Sequence, residues 1–170
     1  RIHLKKPYAY PLYTTPKLTQ QLRYVISTII TLSCRVYRKL MARNYRWGVA
    51  YQFVENWDEV TLWRSTRIKN PPNHFLADPF IWHRDGSHYC FVEDYSYKTN
   101  LGCISVYEIT KDSHKDLGVA LKESFHLSYP FLLESNGELY MCPGTQQSKD
   151  IRLYKCTDFP LKWTLEKILI

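Results

Sequence analysis

The chain carries one stretch twice, and this duplication limits its fold more than any other feature. "ADPFIWHRDGSHYCFVED" (residues 77–94) aligns with "SYPFLLESNGELYMCPGT" (residues 128–145). Pro79 meets Pro130, Phe80 meets Phe131, Gly86 meets Gly137 and Tyr89 meets Tyr140, at a constant offset of 51. Downstream, "CISVYEI" (103–109) answers "DIRLYKC" (150–156), and fourth apolar segments follow near residues 119–123 and 163–168. Four short strands in a repeat of about 50 residues form the pattern of a β-propeller blade.

The turns fix a register. Asp85-Gly86 and Asn136-Gly137 are preferred two-residue hairpin turns. Uninterrupted pairing from them sets Trp82 opposite Tyr89, Phe80 opposite Phe91 and Asp78 opposite Glu93. In the second copy it sets Leu133 opposite Tyr140, Phe131 opposite Cys142 and Tyr129 opposite Gly144. Both faces of each hairpin are apolar, as expected of a sheet packed on both sides.

Asp78 and Glu93 then project from one face with Cβ atoms about 5 Å apart. Two like charges so placed repel unless one is protonated, or a cation, a hydrogen-bond cluster or a ligand compensates. The second copy has Tyr129 and Gly144 at these places, so a blade does not itself require the acids. Asp78 precedes Pro79, and capping the backbone N–H groups of its own loop is the plain alternative for it. Asp94 is expected to be solvated.

The first 45 residues have a different character. Residues 1–70 hold 13 Lys/Arg against 3 Asp/Glu, and the remainder hold 10 against 13. A uniformly basic nucleic-acid binder would not be divided in this way, and no nucleic acid is expected. Residues 1–16, with Pro7, Pro11 and Pro16 among aromatics, read as an extended arm. From Leu18 to Met41 the apolar residues Leu18, Leu22, Val25, Ile26, Ile29, Ile30, Val36 and Leu40 follow helical spacing, starting after Thr15. Arg35, Arg38, Lys39, Arg43 and Arg46 crowd its end, complementing the helix dipole. A connector helix packed on a neighbour and an amphipathic helix on a membrane surface are both open. Its apolar run, residues 24–34, is too short to cross a bilayer, which takes about 20 residues. The chain starts without Met and stops in a strand-like run, so it reads as a piece of a longer protein.

After Arg46 the period becomes two. "WGVAYQF" (47–53) and "VTLWRS" (60–65) read as strands around a polar turn at Asn56, part of a third blade, before the "KNPPN" loop (69–73). Hydrophobic residues are 45% and aromatics 15%, enough for a real core. The five cysteines lack any CxxC pair and read as small hydrophobes in a reducing compartment. The histidines share no ligand spacing, so no metal and no cofactor are expected.

"FLADPFIW…DGSHYCFVED", followed by "SYPFLLESNGELYMCPGT…IRLYKCTDFPLKW" with its Phe159, Pro160 and Trp163 ending, resembles the N-terminal propeller domain of glucosamine inositolphosphorylceramide transferases. It also resembles related bacterial domains that accompany sugar-modifying enzymes. More remotely it is similar to the five-bladed furanosidase propellers of arabinanases and invertases. The resemblance covers about residues 45–170. It implies a mainly β fold: a partial five-bladed propeller with two four-stranded blades (about residues 75–124 and 126–170), part of a third, and an N-terminal connector helix. In furanosidase propellers, acids opening the innermost strands do the glycosidic chemistry. Asp78 matches that position, whereas Tyr129 stands where the next blade would offer an acid.

Three functions are consistent with these residues. The first is a carbohydrate-recognising domain of a larger glycan-modifying protein, with His74, Asp78, Glu93, Tyr129 and Arg67 contacting the sugar and an adjoining enzyme domain in the full-length chain. The second is a furanosidase-type glycoside hydrolase, with Asp78 and Glu93 as catalytic candidates and further acids from missing blades. The third is a protein-interaction scaffold. A bacterial-type relative would place the protein in the cytoplasm, and a plant-type relative would associate it with Golgi membranes.

Overall fold

The structure is a computed structural model that describes residues 15–40 and 47–170. The expected arm up to residue 14 and the arginines at 43 and 46 lie outside the described residues. The chain divides into two compact units, Arg1–Tyr45 and Arg46–Ile170.

The first unit contains the helix α1 (Leu18–Leu40). It begins at Leu18, where the helical spacing begins. Gln20 folds its side-chain carbonyl back onto the Lys17 N–H at 2.8 Å, which satisfies a donor that the first turn leaves open. No acidic residue occurs along it. Leu22, Val25, Ile26, Ile29, Ile30 and Val36 form one stripe, and all are more than half exposed. Among the described residues no helix is long and apolar enough to cross a membrane.

The second unit is mainly β, with three antiparallel sheets and short 3-10 turns. β3 (His74–Arg84), β4 (Ser87–Ser96), β5 (Leu101–Ile109) and β6 (His114–Leu121) form one four-stranded sheet in sequential order. β7 (Ser128–Ser135), β8 (Glu138–Gly144), β9 (Arg152–Asp158) and β10 (Lys162–Ile168) form another. A two-stranded ribbon precedes them, pairing β1 (Ala50–Tyr51) with β2 (Thr66–Arg67). Asp85, Gly86, Asn136 and Gly137 all have positive φ, as the hairpin turns demand.

The ribbon departs from the sequence expectation. Residues 60–65 form no strand; Leu62–Arg64 is a 3-10 turn, and pairing begins only at Thr66. Ser65 donates its hydroxyl to the Thr61 carbonyl at 3.0 Å, and Arg64 N–H bonds to the same carbonyl. These local bonds satisfy a backbone that would otherwise need a partner strand. The fourth strand of the first sheet is also earlier than expected, at His114–Leu121.

The β3–β6 sheet is buried on both faces. One face carries Phe91, Ile104 and Val106, packed with Leu132, Met141, Tyr154 and Trp163 of the second sheet. The other face carries Leu76, Cys90, Val92 and Tyr107, packed with Val49, Tyr51 and Ile68 of the ribbon and its flanks. Alternate residues of β4 therefore enter different cores, which is why the strand reads as an unbroken apolar run.

The two sheets meet through their first strands. β3 and β7 are free edges of their sheets and lie in contact. Phe80 and Phe131, equivalent in the repeat, touch edge to face with centroids 5.6 Å apart.

Candidate functional site

The register fails at one place in each copy, and it is the same place. Phe80 pairs with Phe91 as expected, but Ala77, not Asp78, pairs with Glu93. Phe131 pairs with Cys142 as expected, but Ser128, not Tyr129, pairs with Gly144. Two residues on the first strand oppose one on its neighbour, which is a β-bulge. Asp78 (φ 48°) and Tyr129 (φ 44°) sit in the bulges with left-handed backbone. The cause is local. Pro79 and Pro130 have no N–H to give to the ladder, so regular pairing stops before them. Both bulges lie on edge strands, where an unpaired residue costs least.

The first bulge brings the two acids together. Glu93 is only 6% exposed. Its carboxyl is pushed up to about 7, first by burial, then by a hydrogen bond from one carboxyl to the other and by the charge of Asp78. Near neutrality Glu93 therefore holds a proton about half the time and donates it to exposed Asp78. This resolves the repulsion expected from two adjacent carboxylates.

His126, which the sequence shows only as one of the histidines without ligand spacing, completes the cluster. Its Nε2 lies 3.6 Å from Glu93 Oε1. Its Nδ1 accepts the Gly102 N–H at 2.8 Å, so the ring proton resides on Nε2, facing the carboxyl. Burial lowers the basicity of His126, against the opposing pull of Asp78. Gly102 makes this docking possible. A Cβ there would stand 2.4 Å from the Leu127 carbonyl oxygen and 2.9 Å from His126 Cε1. The detectable signal was the lead-in "HFLADPF" against "FHLSYPF", in which Leu76 and Leu127 align and both are fully buried.

The remaining expected residues are dispersed. His74 Nδ1 lies 2.6 Å from Asp94 Oδ1. Asp94 is 8% exposed rather than solvated, and its Oδ2 accepts the Ser105 hydroxyl at 3.0 Å. The serine bonds to the aspartate and not to the histidine, so this is no nucleophilic triad; it anchors β3 to β4 and β5. Tyr129 is 59% exposed on the second sheet. Arg67 lies on the ribbon, exposed. Among the described residues no three His, Cys, Asp or Glu side chains gather to hold a metal ion.

Asp78 and Glu93 line a depression of about 540 Å3 along the free edge of β3. Trp47, Ala50 and Leu62 line it as well. Trp47 is 69% exposed, so the hollow carries an aromatic side chain as well as a pair of carboxyl groups.

Residues 47–170 match the family model described as glucosamine inositolphosphorylceramide transferase 1, N-terminal. Among curated proteins, the chain is similar to glucosamine inositolphosphorylceramide transferase 1 of Oryza sativa subsp. indica. The two are 42% identical over 101 residues, covering 58% of this chain and 14% of that protein. The protein of the same name from Arabidopsis thaliana is 41% identical over 101 residues, covering 58% and 13%. The matched part thus spans about a seventh of the length of these relatives. No solved structure matches the chain.

Proposed function

This chain belongs to the family of N-terminal domains of glucosamine inositolphosphorylceramide transferases, and on that premise we propose that it is the carbohydrate-recognising part of a larger glycosyltransferase-type protein. The observation that carries this reading is the Asp78–Glu93 carboxyl pair lining one depression together with the exposed Trp47. Carboxylates accept paired sugar hydroxyls, and an aromatic face covers the apolar side of a sugar ring. The two four-stranded sheets are read as adjacent blades of a five-bladed propeller, with the ribbon part of a third. The meeting of β3 and β7 at the Phe80–Phe131 contact supports this. An adjoining enzyme domain occupies the remaining length of the full protein, and the plant relatives favour a Golgi-membrane setting over the cytoplasm. Helix α1, with its exposed apolar stripe and cationic polar face, suits contact with a membrane surface.

The test is a glycan array probed with this chain. Binding lost in Asp78→Asn, Glu93→Gln and Trp47→Ala, with the fold retained, supports the reading. Binding indifferent to all three would favour the scaffold instead.

One observation favours the hydrolase: Glu93 keeps a proton near neutrality, as a general acid must. The geometry weighs against it. Retaining hydrolases hold their carboxyls about 5–5.5 Å apart, flanking the scissile bond. Asp78 and Glu93 are in hydrogen-bond contact, so a glycosidic bond needs an acid from elsewhere. Hydrolysis of aryl furanosides by the full-length protein, lost in Asp78→Asn, would restore that function.

A further inference from the structure

The depression beside Glu93 has a neighbour. The wall from Trp47 to Ala50, with Leu62, is shared with a second hollow of about 630 Å3 that adds Arg67 and Lys69. Lys69 and Asn70 are shared in turn with a third of about 760 Å3, bounded by the Pro71-Pro72 loop, Tyr107, His114 and Asp116. The three hollows follow one another through these shared lining residues, from the free edge of β3, past the ribbon, to β5 and β6.

The far end holds unspent hydrogen-bonding capacity. Tyr107 is 3% exposed and belongs to the core beneath the ribbon. Its hydroxyl makes no hydrogen bond to another described residue and keeps some access to solvent. Nδ1 of His114 is buried and without a partner among the described residues. The two rings stand edge to face, centroids 6.2 Å apart. Asp116 faces Tyr107 in the β5–β6 register and uses one oxygen on the Gly118 N–H at 2.8 Å. Buried polar groups are almost always satisfied. A buried ring nitrogen without a partner, beside a solvent-reachable hydroxyl and bordering a hollow, marks a place where groups from outside complete the bonding. A phenol, an imidazole, a carboxylate and the Lys69 ammonium together supply donors and acceptors for a polyol.

We propose that the three hollows are continuous and form one extended track for an oligosaccharide, with Tyr107, His114 and Asp116 as its distal subsite. The proposal rests on the carbohydrate reading of the Asp78–Glu93 end. Strand β6, which carries His114 and Asp116, lies three strand spacings, roughly 14 Å, from β3. That separation exceeds the span of one sugar ring, so the occupant has several residues. Arg67 and Lys69 supply donors along its middle.

The experiment uses the 170-residue chain on an array printed with mono- to hexasaccharides of several series. The longest members of a bound series are expected to bind at least tenfold more tightly than the monosaccharide. Tyr107→Phe and Asp116→Asn are each expected to lower hexasaccharide binding about tenfold and to leave monosaccharide binding unchanged. The phenylalanine variant keeps its fold, because the lost hydroxyl has no protein partner; its melting curve is the control. Asp78→Asn reports separately on the near end. Binding independent of chain length, or distal variants without effect on the longest glycan, overturns the track and leaves the near-end reading standing. No binding by any printed glycan overturns both.

Discussion

Replacing Glu93 with glutamine keeps the shape of the side chain and removes its ability to ionise. In the folded chain this carboxyl is raised from 4.5 to about 7, mainly by burial and next by Asp78. The folded state therefore holds a proton that the unfolded chain has already released. Such a group contributes stability that is fully present below pH 4.5 and is lost as pH rises through about 7. Each pH unit across that window is worth up to about 1.4 kcal/mol, so the loss totals about 3 kcal/mol. Glutamine cannot contribute this slope. At pH 5 the variant should lie within about 1 kcal/mol of the parent, because the protonated acid and the amide that replaces it both donate to Asp78. At pH 8 the variant should be more stable by about 2 kcal/mol, because the parent then buries a second negative charge beside the first. Urea unfolding at constant ionic strength, repeated from pH 4.5 to 8.5, gives the difference curve, from which distant titrating groups cancel. Parallel stability curves for parent and variant would refute the assigned proton.

Gly102→Ala places a methyl group 2.4 Å from the Leu127 carbonyl oxygen; a loss of about 3 kcal/mol or more, measured by urea unfolding, is expected because backbone is the obstacle. Asp94→Ala removes the shared acceptor of His74 and Ser105 and should cost about 2–3 kcal/mol, with Asp94→Asn intermediate, in the same assay. Ile26→Asp with Ile29→Asp, both exposed positions on α1, should leave the melting curve of the β unit unchanged while abolishing sedimentation of the chain with anionic vesicles.

The parts of the fold that local chemistry dictates were legible. The Asp-Gly and Asn-Gly turns, the repeat offset and the double-faced apolar strands led to both four-stranded sheets and to the pairing near each turn. What could not be followed was the alternation past Pro79 and Pro130. A rule of period two assumes that every residue can join the ladder, and proline cannot. The acids still meet, but through a bulge rather than as opposed partners. Asp94 was misjudged because its histidine partner lies 20 residues away, and no local pattern reports such a distance. The tryptophan and valine run at residues 60–65 suggested a strand, but Leu62 (85% exposed) and Trp63 (77%) bury little, and nothing rewards pairing there.

The paired bulges separate two duties that strands ordinarily combine. On a regular strand, changing a side chain disturbs either the packing or the neighbour opposite. Asp78 and Tyr129 occupy equivalent slots whose backbone is set by the following proline, with Leu76 and Leu127 fully buried two residues before them. One slot carries an acid and the other a phenol, while the sheets around them are alike. Each sheet thus offers a socket on its edge strand whose occupant can be exchanged without rebuilding the frame that holds it.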